Sequence, residues 1–390
     1  MRLAFASGFR QDVAAMPQIA PQIAFAQARN ADPLNWGKLA VEIGESLSRS
    51  LPTARLGFLY ATDALADRLE EVLAVVRRVS GIQDWVGSVG MGVLGDEEVF
   101  DTAAIAAIAL DLPADSYRIL PNLTDDLTLL APFGPWIAAK RPAFGVVHAD
   151  PRCPELADMI GGVAEASDAF LVGGLSSGER ATAQIAGKVV EGGVSGVLFA
   201  HQVAVATGIT QGCSPIGPMH RVTAADGNVL IAIDGQRALD VFKDDIGEML
   251  GRDLRQVAGL IHAALPVPGS DSADYLVRNL TGIDPDEGLV AVGASVEPGD
   301  RIMFVRRDRA AATQDMVEML EGLRRRAPRA KAGIYFSCLA RGPHLFGPGS
   351  EERRLIREAL GDIPIIGMFC NGEISNARLY GYTGVLALFV

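Results

Sequence analysis

The chain has 390 residues, 49% of them apolar and 21% charged, the composition of an ordinary soluble globular protein long enough for two domains. Its net charge of −12 argues against nucleic acid or another polyanion as partner, because such a binder draws much of its affinity from basic side chains on phosphates. The dense basic runs at 323–331 (LRRRAPRAK) and 351–357 (EERRLIR) read as solvated faces or ends of helices.

At the N-terminus, MRLAFASGFR reaches a second arginine before an h-region of adequate length could form, so no secretory leader is expected. No stretch approaches the roughly 18 uninterrupted apolar residues of a membrane-spanning helix, and no membrane insertion is expected. The cysteines, Cys153, Cys213, Cys338 and Cys370, show no CxxC spacing. Neither a disulfide framework nor a structural zinc site is expected from that pattern, and reduced thiols in a cytoplasmic protein are the simplest reading.

Three segments repeat one pattern in order. The first starts with LGFLYAT (56–62), continues through DALADRLEEVLAVVRRVSG, reaches DWVGSVGMGVLG (84–95) and ends with AAIAAIAL (103–110). The second runs from FGVVHAD (144–150) through AFLVGGLSSGE (169–179) to GVSGVLFA (193–200). Each of these is a strand apolar nearly throughout, a helix, a short strand ending in glycines, and a last apolar strand. In the first helix Leu65, Leu69, Val72, Leu73 and Val76 recur at helical spacing, with Arg68, Glu70 and Arg77 on the other side. The glycines sit where the second strand must turn, which predicts positive φ there.

Past residue 215 the character changes. HRVTAADGNVLIAIDG (220–235) reads as a hairpin about Asp226-Gly227-Asn228, and 235–250 as a helix. Residues 275–308 read as three strands separated by Asp-Pro, Asp-Glu-Gly and Glu-Pro-Gly-Asp turns, and 310–325 as another helix. The third repeat then runs from AGIYFSC (332–338) through EERRLIREALGDI and PIIGMFCNGEI (364–374) to GVLALFV (384–390). The predicted fold is α/β: two associated domains, 1–215 and 216–390, built from repeated β-α-β-β units with a β-rich insertion.

FLVGGLSSG followed by GGVSGVLF, DGQRALDVF, GDRIMFVRRD, and FSCLARG followed by PIIGMFCNGEI occur here in the order of the FIST family, which the chain resembles over nearly its whole length. The resemblance implies a sensory module with N- and C-terminal halves that binds a small molecule, with amino acids or similar metabolites as the suggested class. Family members are often fused to kinase, cyclase or chemoreceptor segments; this chain would be a stand-alone binding protein whose further partner is a signalling protein.

The candidate site residues lie where strands end. Cys370, Asn371 and Glu373 follow an apolar run, and a carboxylate beside an amide on a turn could hold a ligand ammonium. Equally, Asn371 and Gly372 would simply make the turn while Glu373 faces water. FSCLARG puts Ser337, Cys338 and Arg341 at the strand edge where parallel sheets bind ligands. Arg341 would meet a ligand carboxylate, or else pair with Glu351 or Glu373 at the surface. Cys338 is a ligand contact or a small buried residue. With Glu373, Arg341 would supply the anion and cation that a zwitterion needs.

Residues 174–178 match G-x-S-x-G, the nucleophile elbow of α/β-hydrolases, and Asp234 with His262 or His344 follow in hydrolase order. The counterparts GSVGMG and GMFCNG hold the same turn without a serine nucleophile, so turn geometry accounts for the motif, and Ser176 and Ser177 remain donors for a ligand. His148 and Asp150 read as a polar strand end, since no third metal ligand is evident. GSVGMG does not fit the dinucleotide fingerprint. No cofactor and no metal are expected. The function expected is small-ligand binding without turnover; the alternatives are a hydrolase using Ser176 or Cys338, and a protein-interaction module.

Overall fold

A computed structural model describes residues 18–124, 127–250, 260–267, 275–349 and 351–390; the leader reading at 1–10 lies outside the described residues. The first repeat comprises β1 (Gln22–Asn30), α1 (Trp36–Ser50), β2 (Leu56–Thr62), α2 (Leu69–Ser80), β3 (Asp84–Gly90), the hairpin β4 (Gly92–Leu94) and β5 (Glu98–Phe100), and β6 (Ala103–Asp111). The second comprises β7 (Tyr117–Leu123), α3 (Gly134–Lys140), β8 (Phe144–Ala149), α4 (Leu156–Ser167), β9 (Phe170–Leu175), the hairpin β10 (Gln184–Ala186) and β11 (Val189–Val190), and β12 (Val194–Phe199). The third opens with β13 (Val205–Gln211) and leaves for the insertion: β14 (Cys213–Pro215), β15 (His220–Asp226), β16 (Val229–Ile233), β17 (Gln236–Arg237), α5 (Ala238–Leu250), β18 (Ile261–Pro266), β19 (Tyr275–Asp284), β20 (Leu289–Val292) and β21 (Arg301–Arg307). It resumes with α6 (Arg309–Arg326), β22 (Ala332–Cys338), α7 (Gly342–Phe346), α8 (Glu351–Leu360), β23 (Ile365–Cys370), the hairpin β24 (Glu373–Ser375) and β25 (Arg378–Tyr380), and β26 (Thr383–Phe389).

The repeat is real, and each unit begins one strand earlier than its sequence pattern announced. Every unit forms its own sheet in the same order: β1-β6-β2-β3, β7-β12-β8-β9 and β13-β26-β22-β23. The two central strands that flank each helix run parallel, and the others antiparallel. Each unit then gives its hairpin away. The hairpin β4–β5 of the first unit extends the third sheet, β10–β11 of the second extends the first, and β24–β25 of the third extends the second. The exchange closes on itself around a pseudo-threefold axis.

Hydrophobic patterning explains the layers. Central strands are apolar on both faces because one face meets helices and the other meets the two sister sheets. On α2, Leu69, Val72, Leu73 and Val76 are buried against the first sheet. Glu70 and Glu71 lie in its first turn, Arg77 and Arg78 in its last, and Gly81 caps it at φ 80°, all in accord with the helix dipole and the left-handed cap. A single core fills the axis, with Phe58 and Tyr60 from the first unit, Val146, Val172 and Phe199 from the second, and Ile334, Phe336 and Met368 from the third. Tyr60, His148 and Phe336 hold equivalent places in β2, β8 and β22, and their ring centroids lie 5.5, 5.9 and 5.9 Å apart. Burial pushes His148 down to about 3, so it sits in this core uncharged, Nε2 at 3.0 Å from the Tyr60 hydroxyl.

The glycine clusters require a correction. Within these clusters Gly372, between β23 and its hairpin, adopts positive φ, at 138°, whereas Gly87, Gly173 and Gly367, inside β3, β9 and β23, do not. Those three are needed for a different reason. A Cβ there would stand 1.8, 1.8 and 1.7 Å from the carbonyl oxygens of Leu59, Val147 and Tyr335 on the neighbouring parallel strand.

The insertion closes into a ring, β15-β16-β20-β19-β18-β21, because β21 pairs with both β15 and β18. Its own core contains Val222, Leu230, Val290, Phe304 and, from α5, Leu239 and Phe242. Phe242 and Phe304 stack edge to face at 4.8 Å. Among the described residues no helix is long and apolar enough to cross a membrane.

Candidate functional site

The barrel sits over the C-terminal ends of the third unit's parallel strands, the sheet edge at which α/β folds place ligands. There β22 ends at Cys338 and β23 at Cys370, which are register partners. The loop after Cys338 is pinned by Leu339 N–H to the Cys370 carbonyl at 2.9 Å and by Arg341 N–H to the Cys338 carbonyl at 2.8 Å. That brings Arg341 inward, fully buried.

Arg341 meets Glu352, not Glu351 or Glu373 as either surface pairing would have it. Its Nε donates to Glu352 Oε1 at 2.8 Å. Glu352 also accepts from Tyr335 Oη at 2.6 Å, Ser337 Oγ at 2.9 Å and the Gly342 N–H at 3.0 Å. This carboxylate is buried with a full complement of donors, the condition under which a buried charge is tolerated. Burial opposes the Arg341 charge, and the Glu352 carboxylate more than offsets that, holding the guanidinium above its ordinary range. The Phe346 ring lies under it at 5.2 Å. Its Nη1 has no hydrogen-bond partner among the described residues.

Glu373 is likewise fully buried, not facing water. Its Oε2 accepts from Thr383 N–H at 3.1 Å and Thr383 Oγ1 at 2.8 Å, while Oε1 meets no partner in hydrogen-bonding geometry among the described residues, the Cys338 thiol lying alongside. Burial raises its pKa to about 8, with the Thr383 bonds and the Arg341 charge acting the other way. Cys338 is buried beside it; burial and the Glu373 charge push the thiol up, opposed by the backbone N–H groups of Ala340 and Tyr382.

The barrel supplies the roof. Arg307 donates through Nη2 to the Ala340 carbonyl, one residue before Arg341, and its buried Nε has no partner. Tyr382 takes positive φ, 63°, rare for a bulky side chain. Its hydroxyl donates to Asn279 Oδ1 at 2.5 Å, and its ring lies 4.4 Å from that of His262. His262 is 3% exposed and neither ring nitrogen meets a partner in hydrogen-bonding geometry, although the Asn279 amide lies alongside. Burial and then the Arg307 charge lower its pKa to about 4.

The other expected site residues are placed differently. Ser176 Oγ donates to the Val89 carbonyl at 2.8 Å, and Ser177 Oγ to the Phe369 carbonyl at 2.5 Å while accepting from Met91 N–H at 2.9 Å. These serines staple the turns of all three units together, which corrects their reading as free donors for a ligand. Cys370 packs on Phe336 in the axial core, where a Cβ on Gly174 would stand 2.2 Å from its sulfur. Burial lifts its thiol pKa well above the ordinary value. Asn371 is exposed, its N–H bonding the Leu175 carbonyl at 3.2 Å. The nucleophile-elbow reading also fails on context: the turn at Ser176 leads to β10 and not to a helix, and the hydroxyl is buried and committed. Asp234 pairs with His220, and His344 is exposed. Asp150 is held at about 2 by Arg152 and Thr182, whose hydrogen bonds outweigh the opposing effect of burial. Among the described residues no three His, Cys, Asp or Glu side chains form a metal-binding group.

Sequence reasoning missed Glu352, Thr383, Tyr382 and Arg307. For Glu352 a signal existed: it precedes the buried Leu355 and Ile356 by three and four residues, on the apolar face of α8. A run dominated by arginines hid it.

The FIST N domain family model matches residues 55–236, and the FIST C domain model residues 238–376. The chain is 34% identical over 238 residues to an uncharacterized protein of Mycobacterium tuberculosis, a match that covers 56% of this chain and 61% of the relative. It is 29% identical over 368 residues to an uncharacterized protein of Mycobacterium bovis, covering 86% of this chain and 90% of that one.

Proposed function

The chain belongs to the FIST family, whose domains are small-ligand sensory modules in signalling; on that premise we propose that it binds an amino acid or a related metabolite between the end of β22 and the barrel. One observation carries this reading. Arg341 Nη1, just past β22, and Glu373 Oε1, at the start of β24, are buried, and neither meets a partner in hydrogen-bonding geometry among the described residues, the Cys338 thiol lying beside Glu373. An unmade hydrogen bond to a buried group costs about 1–3 kcal/mol, a deficit that a ligand would relieve. A ligand carboxylate would take Arg341 Nη1, and its ammonium would take Glu373 Oε1, both as charge-assisted bonds. Cys213, Cys338 and Cys370 are buried thiols, and we place the protein in the reducing cytoplasm.

A thermal-shift screen of amino acids tests this. A ligand at about 100 times its dissociation constant stabilises the fold by about 2.7 kcal/mol. Glu373→Gln keeps an acceptor for Thr383 but cannot give up a proton to become the anion that a ligand ammonium pairs with, so it should cut affinity about tenfold or more. Arg341→Ala is the poorer variant, since it leaves Glu352 buried and unpaired at a cost of about 3–5 kcal/mol. Full ligand-induced stabilisation in Glu373→Gln would show that the ligand binds elsewhere.

A further inference from the structure

We infer that the ligand carries a second anionic group, held by Arg307 and His262 of the barrel, which makes it a dicarboxylic amino acid or a close analogue. This rests on the reading of the third strand end as the ligand site.

Arg341 is neutralised by Glu352. Arg307 has no carboxylate partner among the described residues, yet its Nε is buried and its Nη2 is tied to the loop that carries Arg341. The side chain is half-buried, and its charge is felt by Cys213, His262 and Tyr382 along this seam. An uncharged imidazole offers one N–H donor and one acceptor, and neither buried His262 nitrogen meets a partner in hydrogen-bonding geometry among the described residues, the Asn279 amide lying alongside. A ligand with one carboxylate and one ammonium satisfies Arg341 and Glu373 and leaves Arg307 Nε and the His262 N–H bare. A second carboxylate accepts from both and sets an anion against Arg307, the cation here that lacks one among the described residues. A side-chain amide could accept a bond from either donor but would leave the charge uncompensated. The roof therefore discriminates acids from their amides, as sites built around buried polar groups do.

Calorimetric titration of the full chain with L-glutamate, L-aspartate, L-glutamine and L-asparagine decides it. The acids should bind about tenfold or more tightly than their amides, the value of a charge-assisted bond. Arg307→Gln should remove most of that preference, and Glu373→Gln should weaken acids and amides alike. Equal affinities for acid and amide in the unsubstituted protein, with Glu373→Gln still weakening both, would overturn the second anionic group and leave the strand-end site standing. Binding unaffected by Glu373→Gln would overturn the site itself, and so would no binding of any of the four. Should Arg307→Gln not fold, the ratio of acid to amide affinity in the unsubstituted protein decides the matter alone.

Discussion

Glu373 gains meaning from its counterpart in the second unit. Gln184 on β10 pairs with Ser88 as Glu373 on β24 pairs with Gly174, at the same level of the sheet. The amide is satisfied at both ends: Oε1 accepts from Ser195 Oγ at 2.6 Å, and Nε2 donates to the Gly192 carbonyl at 3.1 Å. With an acid in that place, one oxygen is left bare and the pKa rises from 4.5 to about 8 through burial. The sign follows from proton counting. Between pH 4.5 and about 8 the native state keeps a proton that the unfolded chain has released, so stability falls as pH rises across that window and levels off above it. His262 and His148, lowered from 6.5 to about 4 and about 3, act oppositely, costing stability as pH falls below 6.5. Melting temperature measured against pH should therefore decline less toward pH 8 in Glu373→Gln than in the unsubstituted protein, both without ligand. Parallel curves would mean that Glu373 is ionised in the free protein.

Among the elements, long strands and helices were legible because their periodicity spans many residues; Leu56–Thr62, Phe144–Ala149, Ala332–Cys338 and the 309–326 helix fall where the pattern put them. The exchanged hairpins were not legible, since strands such as Gly92–Leu94 and Arg378–Tyr380 are too short to show any alternation. Nor can local sequence tell that a hairpin pairs with a sheet hundreds of residues away. The glycine clusters were visible, but a glycine letter does not say whether it serves a dihedral angle or a close approach. The two uses separate experimentally. Alanine at Gly87, Gly173 or Gly367 must push a parallel strand aside, and each should cost about 1–3 kcal/mol or more by denaturant titration. Gly161 in α4 has open space at its Cβ position, so alanine there should be neutral or stabilising by up to about 1 kcal/mol. Similar effects at all four positions would remove the close-approach account.

At the scale of the whole molecule, the hairpin exchange makes the α/β body indivisible while the barrel stands apart. The first sheet takes an edge from the second unit, the second from the third and the third from the first, and the axial core draws side chains from all of them. A fragment of residues 1–212 would lose β22, β23 and β26, and with them the partners of β4 and β13. It would expose Phe58, Tyr60 and Phe199 to water, a loss too large for marginal stability to absorb. Residues 213–307 instead hold a closed ring with a core of their own. All three tryptophans, Trp36, Trp85 and Trp136, lie in the α/β body, so their fluorescence reports that body and not the barrel. The 1–212 fragment should show water-exposed tryptophan emission with no cooperative change in urea. The 213–307 fragment should lose far-UV circular dichroism in one cooperative step, and the full chain should give a single tryptophan transition. A cooperative tryptophan transition in the 1–212 fragment would show that its two sheets close without the third, and that the exchange does not bind the body into one unit.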